Sequence, residues 1–431
     1  MNFLLKDYSF LNSCTPPLPI PIDFINRDGI SPPQTRRSVK TIHGSEFQWD
    51  ADIPFERGGG ICSIAFYNDQ CKRWFCVILI SIILFATAQS QEKKYYFYRP
   101  WDYGSEAMFN PIGVLMNGGL DVLQSYNSST RADAILWNTQ GTSVWRSVSS
   151  PAYYISLYGW NKFLKQEVIP TSLDIAKAQW APNYTLHLIG GGMEYRKLSE
   201  WYDYHGYPLP FVFGAVTTMG YHFINELIEN GPDIHGNTDA IADFCIFDPL
   251  GIVLFSFDGD AEYFSSEFGL NDWSPQPSIS FRPLSFRNFG HSFVMRYPIT
   301  ESRRTSAFLY LGKSTLLGLS VKTNNENAIS FGAGATQTGV WEVDETNGIG
   351  TNSIHVGAAC GLFYDRNNSL LASLLISEFY LERIRLNIYP GVLTSSPFSP
   401  GFFFTIGDGG TYSAGITMQY SPFGFGMYAP H

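Results

Sequence analysis

The sequence predicts a mainly β protein, an antiparallel transmembrane β-barrel of about 10–12 strands, with helical segments in the N-terminal half of the mature chain. From about Pro277 onward, apolar and polar residues alternate with a period of two, which places the two sets on opposite faces of a sheet. The runs are about ten residues long, the length that a tilted strand needs to cross a bilayer. Their polar set is small, mostly Ser, Gly and Thr, and suits a polar lumen better than a soluble core.

Composition favours a chain that faces lipid over a cytosolic enzyme. Charged residues make up 15% and aromatic residues 16% of the 431 residues, whereas a typical soluble domain carries about 25% charged residues. The net charge of −10 argues against nucleic acid as a partner, because phosphate binding needs clustered Lys and Arg. The expected partners are outer-membrane lipid and the barrel assembly machinery, and the oligomeric state is left open.

Residues 71–88 have the three parts of a signal peptide. Lys72 and Arg73 precede an apolar run over residues 74–85, and Ala86-Thr87-Ala88 matches a cleavage site. This predicts export to the outer membrane of a Gram-negative bacterium. Residues 1–70 show no helical or strand periodicity and are interpreted as a mis-called or disordered leader. Either the start codon lies downstream, or a disordered cytoplasmic extension precedes a membrane anchor.

The region 89–271 is predicted to be mixed, with helices and a strand. Three helices are expected: Glu106–Tyr126, Tyr153–Lys165 and Ala215–Asn230. The apolar segment Asp239–Phe257 is expected to break at Pro249-Leu250-Gly251. Tyr184–Arg196 alternates weakly and is expected to form a strand with a kink at Gly190-Gly191-Gly192, a triplet that lacks the Lys and Ser/Thr of a phosphate loop.

The region 272–431 is predicted to hold the β-barrel strands. The clearest alternating runs are Ala328–Gln337, Arg383–Tyr389 and Thr411–Ser421. The tail that follows is expected either to tuck back or to hang free. Aromatic residues cluster near the ends of runs, at levels where barrels carry interfacial girdles: Phe289, Phe293, Tyr297, Phe308, Tyr310, Phe363, Tyr364, Phe379, Tyr380 and Tyr389.

The stretch His222–Phe255, which reads HFINELIENGPDIHGNTDAIADFCIFDPLGIVLF, is followed by alternating strands. In this order it resembles uncharacterised Gram-negative outer-membrane β-barrel proteins that carry an acidic helical segment between early and late strands. The resemblance covers the last half of the chain. It implies a barrel in the outer membrane and carries no activity with it.

Two pairs of titratable residues are the candidate catalytic residues. His222 and Glu226 are four residues apart on a predicted helix, so their side chains can meet and serve as a base with its orienting carboxylate or as metal ligands. Asp239 and Asp243 have the same spacing, and paired carboxylates suit acid–base chemistry. The alternative is a solvated polar face. No metal site or cofactor is predicted, because a metal needs a third ligand that the sequence does not place.

The sequence also singles out a pair of arginines and a pair of cysteines. Arg383 and Arg385 share one face of a predicted strand and are interpreted as lumen charges that either favour anionic solutes or pair with acidic groups of the helical segment. Of six cysteines, Cys245 and Cys360 follow the predicted signal peptide, and they form either a disulfide or two unreactive thiols.

Three functions remain open from the sequence. The first is a transport or structural envelope protein, an outer-membrane β-barrel with a helical plug and an unknown substrate. The second is a lipid- or envelope-modifying outer-membrane enzyme. The third is a soluble secreted β-sandwich with a helical layer, which would lack a lipid-facing surface.

Overall fold

The computed structural model of the chain describes residues 94–125, 130–131, 135, 137–171, 178–230, 236–282, 284–344, 349–378, 380–393 and 399–429. The predicted leader, 1–70, and the predicted signal peptide, 71–88, lie outside these residues. Helices occupy most of the described residues before residue 270, and strands follow. The prediction of a mainly β protein with helical segments in its N-terminal half is therefore confirmed.

The strands form one large sheet. In chain order they are β1 (Gly236–Asn237), β2 (Asn271–Asp272), β3 (Ser278–Phe281), β4 (Leu284–Arg287), β5 (Ser292–Pro298), β6 (Thr305–Gly312), β7 (Ser314–Lys322), β8 (Asn327–Asp344), β9 (Ile349–Arg366), β10 (Ser369–Ser377), β11 (Ile384–Ile388), β12 (Gly401–Ile406), β13 (Tyr412–Thr417) and β14 (Gly424–Ala429). From β5 to β14 each strand pairs with the next one along the chain, β2 flanks β5, and β3 and β4 follow β14. The tail thus tucks back as β14.

Two pairings depart from the predicted antiparallel pattern. β14 runs parallel to β3, and β1 pairs parallel with β9 outside the main path. Within the described residues no pairing joins β2 to β4, so the two ends of the sheet do not close on each other. Yet Arg287 of β4 and Ser292 of β5 are only five residues apart, so they lie within about 18 Å. Thirteen flat strands would span about 58 Å, and the sheet must therefore curl.

The helical segment precedes the sheet. Its α-helices are α1 (Pro111–Gly119), α2 (Trp137–Ser149), α3 (Pro151–Tyr158), α4 (Trp160–Phe163), α5 (Trp180–Pro182), α6 (Gly192–Tyr204), α7 (Pro210–Glu229), α8 (Asp239–Ala242), α9 (Asp248–Ser256) and α10 (Asp258–Ser266). Three π-helices join them: π1 (Leu164–Val168), π2 (Asn183–Gly191) and π3 (Asp243–Phe247). Short 3₁₀ turns lie at Glu106–Met108, Asp121–Gln124 and Asp408–Gly410.

Two predicted helices are divided in the structure. The helix expected at Glu106–Tyr126 is interrupted where the Asn110 side chain accepts a hydrogen bond from the Gly113 amide at 2.8 Å and caps α1. The helix expected at Tyr153–Lys165 is divided at Gly159, whose φ of +98° favours glycine. The third, Ala215–Asn230, corresponds to α7, which begins five residues earlier.

The predicted strand at Tyr184–Arg196 is wrong, because π2 and α6 occupy it. Its apparent alternation came from glycines at points of close helix packing: a Cβ on Gly192 would lie 2.5 Å from the Phe255 ring. The expected break at Pro249 is also absent: α9 continues π3 without a loop, and Pro249 lies in its first turn.

No single described helix is long and apolar enough to cross a bilayer. Asp239–Ser256 and Asp258–Ser266 reach that length and hydropathy only as a pair, and they are bent by 90°.

One face of the sheet is exposed and apolar. The backbone register joins the outward residues of β5–β14 into lateral rows. The middle row is Tyr297, Ala307, Leu319, Phe331, Leu362, Leu374, Leu386, Phe404, Ala414 and Met427. The row two residues to one side is Met295, Leu309, Leu317, Ala333, Cys360, Ile376, Ile384, Ile406, Tyr412 and Ala429. None of these twenty residues carries a charge or is buried.

The opposite, covered face carries small polar residues together with aromatic rings. One of its lateral rows is Ser306, Ser320, Ser330, Phe363, Ser373, Asn387, Phe403, Gly415 and Gly426. Glycines make room for the rings, since a Cβ on Gly361 would lie 2.5 Å from the Phe363 ring. The interior is therefore less uniformly small and polar than predicted.

The predicted aromatic girdles are largely wrong. Among the residues assigned to them, those that lie buried beneath the sheet are Phe289, Phe293, Phe308, Tyr310, Phe363, Tyr380 and Tyr389. They pack against Trp273 and the helical segment in apolar clusters. Tyr297 is exposed, Tyr364 is half-buried, and Phe379 lies outside the described residues. Period-two alternation shows that the sheet has two different faces, but it does not show toward which face an aromatic side chain at a strand end points.

Buried charges fasten the helical segment to the sheet. The Lys197 ammonium of α6 lies 3.1 Å from the Glu106 carboxylate and 3.4 Å from that of Asp272 in β2, and its side chain is fully buried. Arg385 of β11 donates hydrogen bonds to the Phe289 carbonyl and to Gln124, both at 2.8 Å. Buried charges of this kind lose their compensation when a partner is removed.

We expect Lys197→Met to lower the free energy of unfolding by about 3–5 kcal/mol, because it leaves the Glu106 carboxylate buried without its cation. Urea denaturation followed by tryptophan fluorescence measures the change. The matched control is Lys94→Met, which removes an exposed ion pair with Glu262 and should leave the free energy of unfolding close to that of the parent, because solvent screens exposed ion pairs. Equal effects of the two substitutions would contradict this reading.

Candidate functional site

A cluster of acidic and histidine side chains lies where three helical stretches meet. His222 and Glu226 project from α7, one turn apart. Asp243 lies at the start of π3 and Asp248 at the start of α9. His187 comes from the middle of π2. These five residues are the acidic cluster, and each is buried or nearly so.

π-Helical turns and glycines bring the helices to this short separation. π-Helices are rare, and they occur frequently at functional sites because the extra residue redirects the side chains that follow. Gly191 of π2 faces His222, and a Cβ there would lie 2.8 Å from its Nε2 atom. A Cβ on Gly251 of α9 would lie 2.8 Å from the Leu188 carbonyl oxygen. Side chains at either position would push His187 away from the other members of the cluster.

His187 links the cluster through both ring nitrogens. Its Nδ1 atom lies 3.0 Å from Asp248 Oδ1, and its Nε2 atom lies 3.5 Å from Asp243 Oδ2. His222 Nε2 is 3.3 Å from the same Asp248 oxygen, although not aligned for a hydrogen bond. The two imidazole rings lie 4.5 Å apart, centre to centre.

Burial shifts the titration of these groups. It raises the pKa of Glu226 well above its usual range, and the negative charge of Asp239 adds to the effect. The pKa of Asp243 is raised in the same way, by burial and then by Asp239 and Glu226. Burial and the neighbouring His187 hold the pKa of His222 well below its ordinary value, so His222 is a neutral imidazole. Without a cation, some of the carboxyl groups therefore hold protons at neutral pH.

The cluster opens on a small cleft of about 80 Å³. Its lining combines residues of the helices with two polar residues of the sheet: Asp121, Gln179, Pro182, Asn183, Leu186, His187, Asn225, Glu226, Glu229, Asp239, Asp243, Lys313 and Gln337. His222 and Asp248 lie behind this lining. His187, Glu226 and Asp243 therefore form part of the cleft wall, and the other two lie behind them.

All four candidate catalytic residues from the sequence fall in or beside this site. His222, Glu226 and Asp243 belong to the cluster, and Asp239 lines the same cleft. Sequence reasoning missed His187 and Asp248. The weak alternation predicts a strand at His187. In a helix, His187 and Gly191 would share one face, and the sequence would indicate that this face packs against α7 only if the glycines are interpreted as points of close helix packing. His187 thus adds to Glu226 and Asp243 a third side chain of a ligand type, which the sequence could not place beside them.

The two arginines predicted to face the lumen differ in burial and in their position relative to β11. Arg385 is buried in β11 and holds the 3₁₀ turn at Asp121–Gln124 through its hydrogen bond to Gln124. Arg383 precedes the strand and is exposed, so the pair does not follow the alternation. Cys245 and Cys360 are free thiols.

Glu167 of π1 offers a test of the electrostatics beside the cleft. Burial and the adjacent Asp239 raise its pKa well above the usual range. A carboxyl group with a raised pKa in the folded state stabilises fully at low pH, and that stabilisation is lost as pH rises through the folded value. We expect Glu167→Gln to remove this dependence and to stabilise the protein by about 1–3 kcal/mol at pH 8.

Thermal unfolding between pH 4 and pH 8 in the presence of a chelator, followed by circular dichroism, measures this effect. Glu301→Gln is the matched control, because Glu301 is exposed and its neutralisation should shift stability by no more than about 0.5 kcal/mol. A pH profile of Glu167→Gln parallel to that of the unsubstituted protein would contradict the assignment.

Comparison with known proteins leaves the site to be interpreted from its own geometry. No protein-family model, no curated protein and no solved structure matches this chain.

Proposed function

We propose that this chain is an outer-membrane β-barrel whose interior is filled by its helical segment, a transport or structural envelope protein. The observation that carries the proposal is the exposed face of the sheet, on which two adjacent lateral rows cross ten strands with apolar residues alone. Lipid is the solvent that such a surface suits, because barrels present an apolar band outward.

A soluble sandwich would require the opposite arrangement of the two faces of the sheet. A soluble sheet exposes its polar face and buries its apolar face against a second layer. Here the helical segment covers the face that carries Ser320, Ser330 and Ser373, and it leaves Leu317 and Phe331 67% and 56% exposed. Soluble monomers rarely expose contiguous apolar patches beyond a few hundred Å², and the two rows exceed this.

A barrel also accounts for the ends of the sheet. The free edge of β4 is occupied by the helical segment: the Phe286 amide donates to the Thr130 carbonyl at 2.9 Å, and Arg131 pairs with Ser285. Covering an edge in this way satisfies backbone groups that lipid cannot. In the proposed barrel, the chain at Thr130 and Arg131 covers the β4 side of the seam between β2 and β4.

The filled interior favours a plugged barrel over an open pore. Arg385 and Lys197 are committed to contacts with the helical segment, and rings such as Phe308 and Phe363 pack in the middle. Passage of a solute through this barrel would require movement of the helical segment. This supports an envelope role in which the helical segment is either a fixed support or a displaceable plug.

A second candidate is a lipid- or envelope-modifying enzyme. The observation that favours it is the convergence of His187, Glu226 and Asp243 on the wall of one cleft. Lipid mass profiles of a deletion strain, complemented with the unsubstituted chain or with Asp243→Asn, test it. An accumulated lipid that only the unsubstituted chain removes would establish the enzyme, and identical profiles would eliminate it.

If the exposed face of the sheet contacts lipid, a charged side chain placed on that face lowers the free energy of unfolding. Leu362 lies in the middle apolar row, 48% exposed, and Leu362→Arg should destabilise the protein in lipid vesicles by about 2–4 kcal/mol. Asn325→Arg, in the exposed turn between β7 and β8, is the control and should be neutral. Urea-induced unfolding in vesicles, read from heat-modifiable gel migration, measures both.

If the exposed face contacts water and not lipid, Leu362→Arg has little effect on the free energy of unfolding. On a water-exposed surface Leu362→Arg stays within about 0.5 kcal/mol of the parent and improves solubility. Recovery of the chain in the soluble periplasmic fraction, or equal stability of the two variants in vesicles, would overturn the membrane proposal.

A further inference from the structure

We propose that His187, Glu226 and Asp243 form a binding site for one divalent transition-metal ion. One ligand atom from each of these residues lies within 4.8 Å of the others. Metal–ligand bonds of about 2.0–2.2 Å place ligand atoms roughly 3–4 Å apart, so a small inward movement closes the site on an ion. This departs from the sequence-based expectation of no metal.

Unpartnered buried atoms point to a missing cation. Asp243 Oδ1 and Glu226 Oε2 are buried, and within the described part of the chain neither atom receives a hydrogen bond from an N–H or hydroxyl group. Buried carboxylate oxygens are normally paired or coordinate a metal. The basic residue that lines the cleft beside them is Lys313, from the turn before β7, and one lysine does not balance the carboxylates of this lining. A divalent ion neutralises the Glu226 and Asp243 charges together.

Asp248 supplies the support that a metal-bound histidine needs. Ligand histidines usually donate their second ring N–H to a carboxylate, which fixes the tautomer and the ring orientation. His187 Nδ1 lies 3.0 Å from Asp248 Oδ1, and this leaves the Nε2 lone pair directed toward Asp243, 3.5 Å away. Asp248 is thus a positioning residue, and Nε2 is the ligand atom.

Two other groupings are less suitable. His187, His222 and Asp248 also meet within 4.8 Å, but His222 and Asp248 do not line the cleft, and an ion there would displace the hydrogen bond to His187. Glu226, Glu229 and Asp239 meet too, but they offer carboxylates alone, a set that suits calcium or magnesium. One imidazole with two carboxylates favours Zn²⁺, Mn²⁺ or Fe²⁺.

Metal binding by the full chain in detergent micelles tests the site. After treatment with a chelator, the protein is titrated with Mn²⁺ or Zn²⁺ by calorimetry, and bound metal is measured after desalting. We expect one ion per chain. Pulsed electron paramagnetic resonance of bound Mn²⁺ should show coupling to an imidazole nitrogen that disappears in His187→Gln.

Substitutions separate the roles of the residues. His187→Gln and Asp243→Asn should weaken binding by more than about 100-fold, and Asp248→Asn by about 10- to 100-fold with the stoichiometry kept. His205→Ala is the matched control, because His205 is an exposed imidazole after α6, and it should bind as the parent does. Heat-modifiable migration of each variant verifies its fold, and the titration of the unsubstituted chain does not depend on any variant.

Three results would overturn the proposal: no stoichiometric binding by the unsubstituted chain, unchanged affinity in His187→Gln, or loss of binding in Glu229→Gln with His187→Gln unaffected. The measurement is made in detergent and is independent of membrane location. A failed metal site therefore leaves the barrel proposal intact, and a soluble localisation leaves the metal site intact.

Discussion

The structure depends on one constraint: successive side chains of a strand must face opposite sides of the sheet. Across ten paired strands this constraint sends leucine, isoleucine, phenylalanine and small apolar residues to one face and serine, glycine and asparagine to the other. The helical segment covers the second face and leaves the first exposed. A long apolar surface without a covering layer in the described chain suits an apolar solvent, and the proposal of a membrane location is based on this observation.

The covered face then determines how the helical segment is held. A purely small and polar interior would leave space, and rings such as Phe308 and Phe363 fill it opposite glycines in neighbouring strands. Charges that enter the interior are paired across the boundary, as Lys197 is with Asp272 and Arg385 is with Gln124. These contacts make helices and sheet one packed unit, with apolar rings supplying burial and ion pairs supplying specificity of placement.

The acidic cluster stands apart from this packing, because its polar groups are buried without full compensation. Protein interiors generally pair such groups, and uncompensated ones recur at sites that bind or react. Here the uncompensated atoms of Glu226 and Asp243 lie at a cleft rather than in a closed core. The π-helical turns that position His187 and Asp243 are also typical of functional sites. An α-helix of the same length would direct these side chains elsewhere.

The sequence by itself determined the alternation of the last third, the existence of α7 and the spacing of its His222–Glu226 pair, because these depend on neighbours in the chain. It predicted the wrong class for Tyr184–Arg196 and placed most of the aromatic rings on the wrong face. Only the tertiary structure decided where His187 lies, that Asp248 supports it, and which sheet face the helices cover. Each of these depends on contacts between residues far apart in the chain, and no local period encodes them: Gly191 packs on His222, and Arg385 reaches back to Gln124.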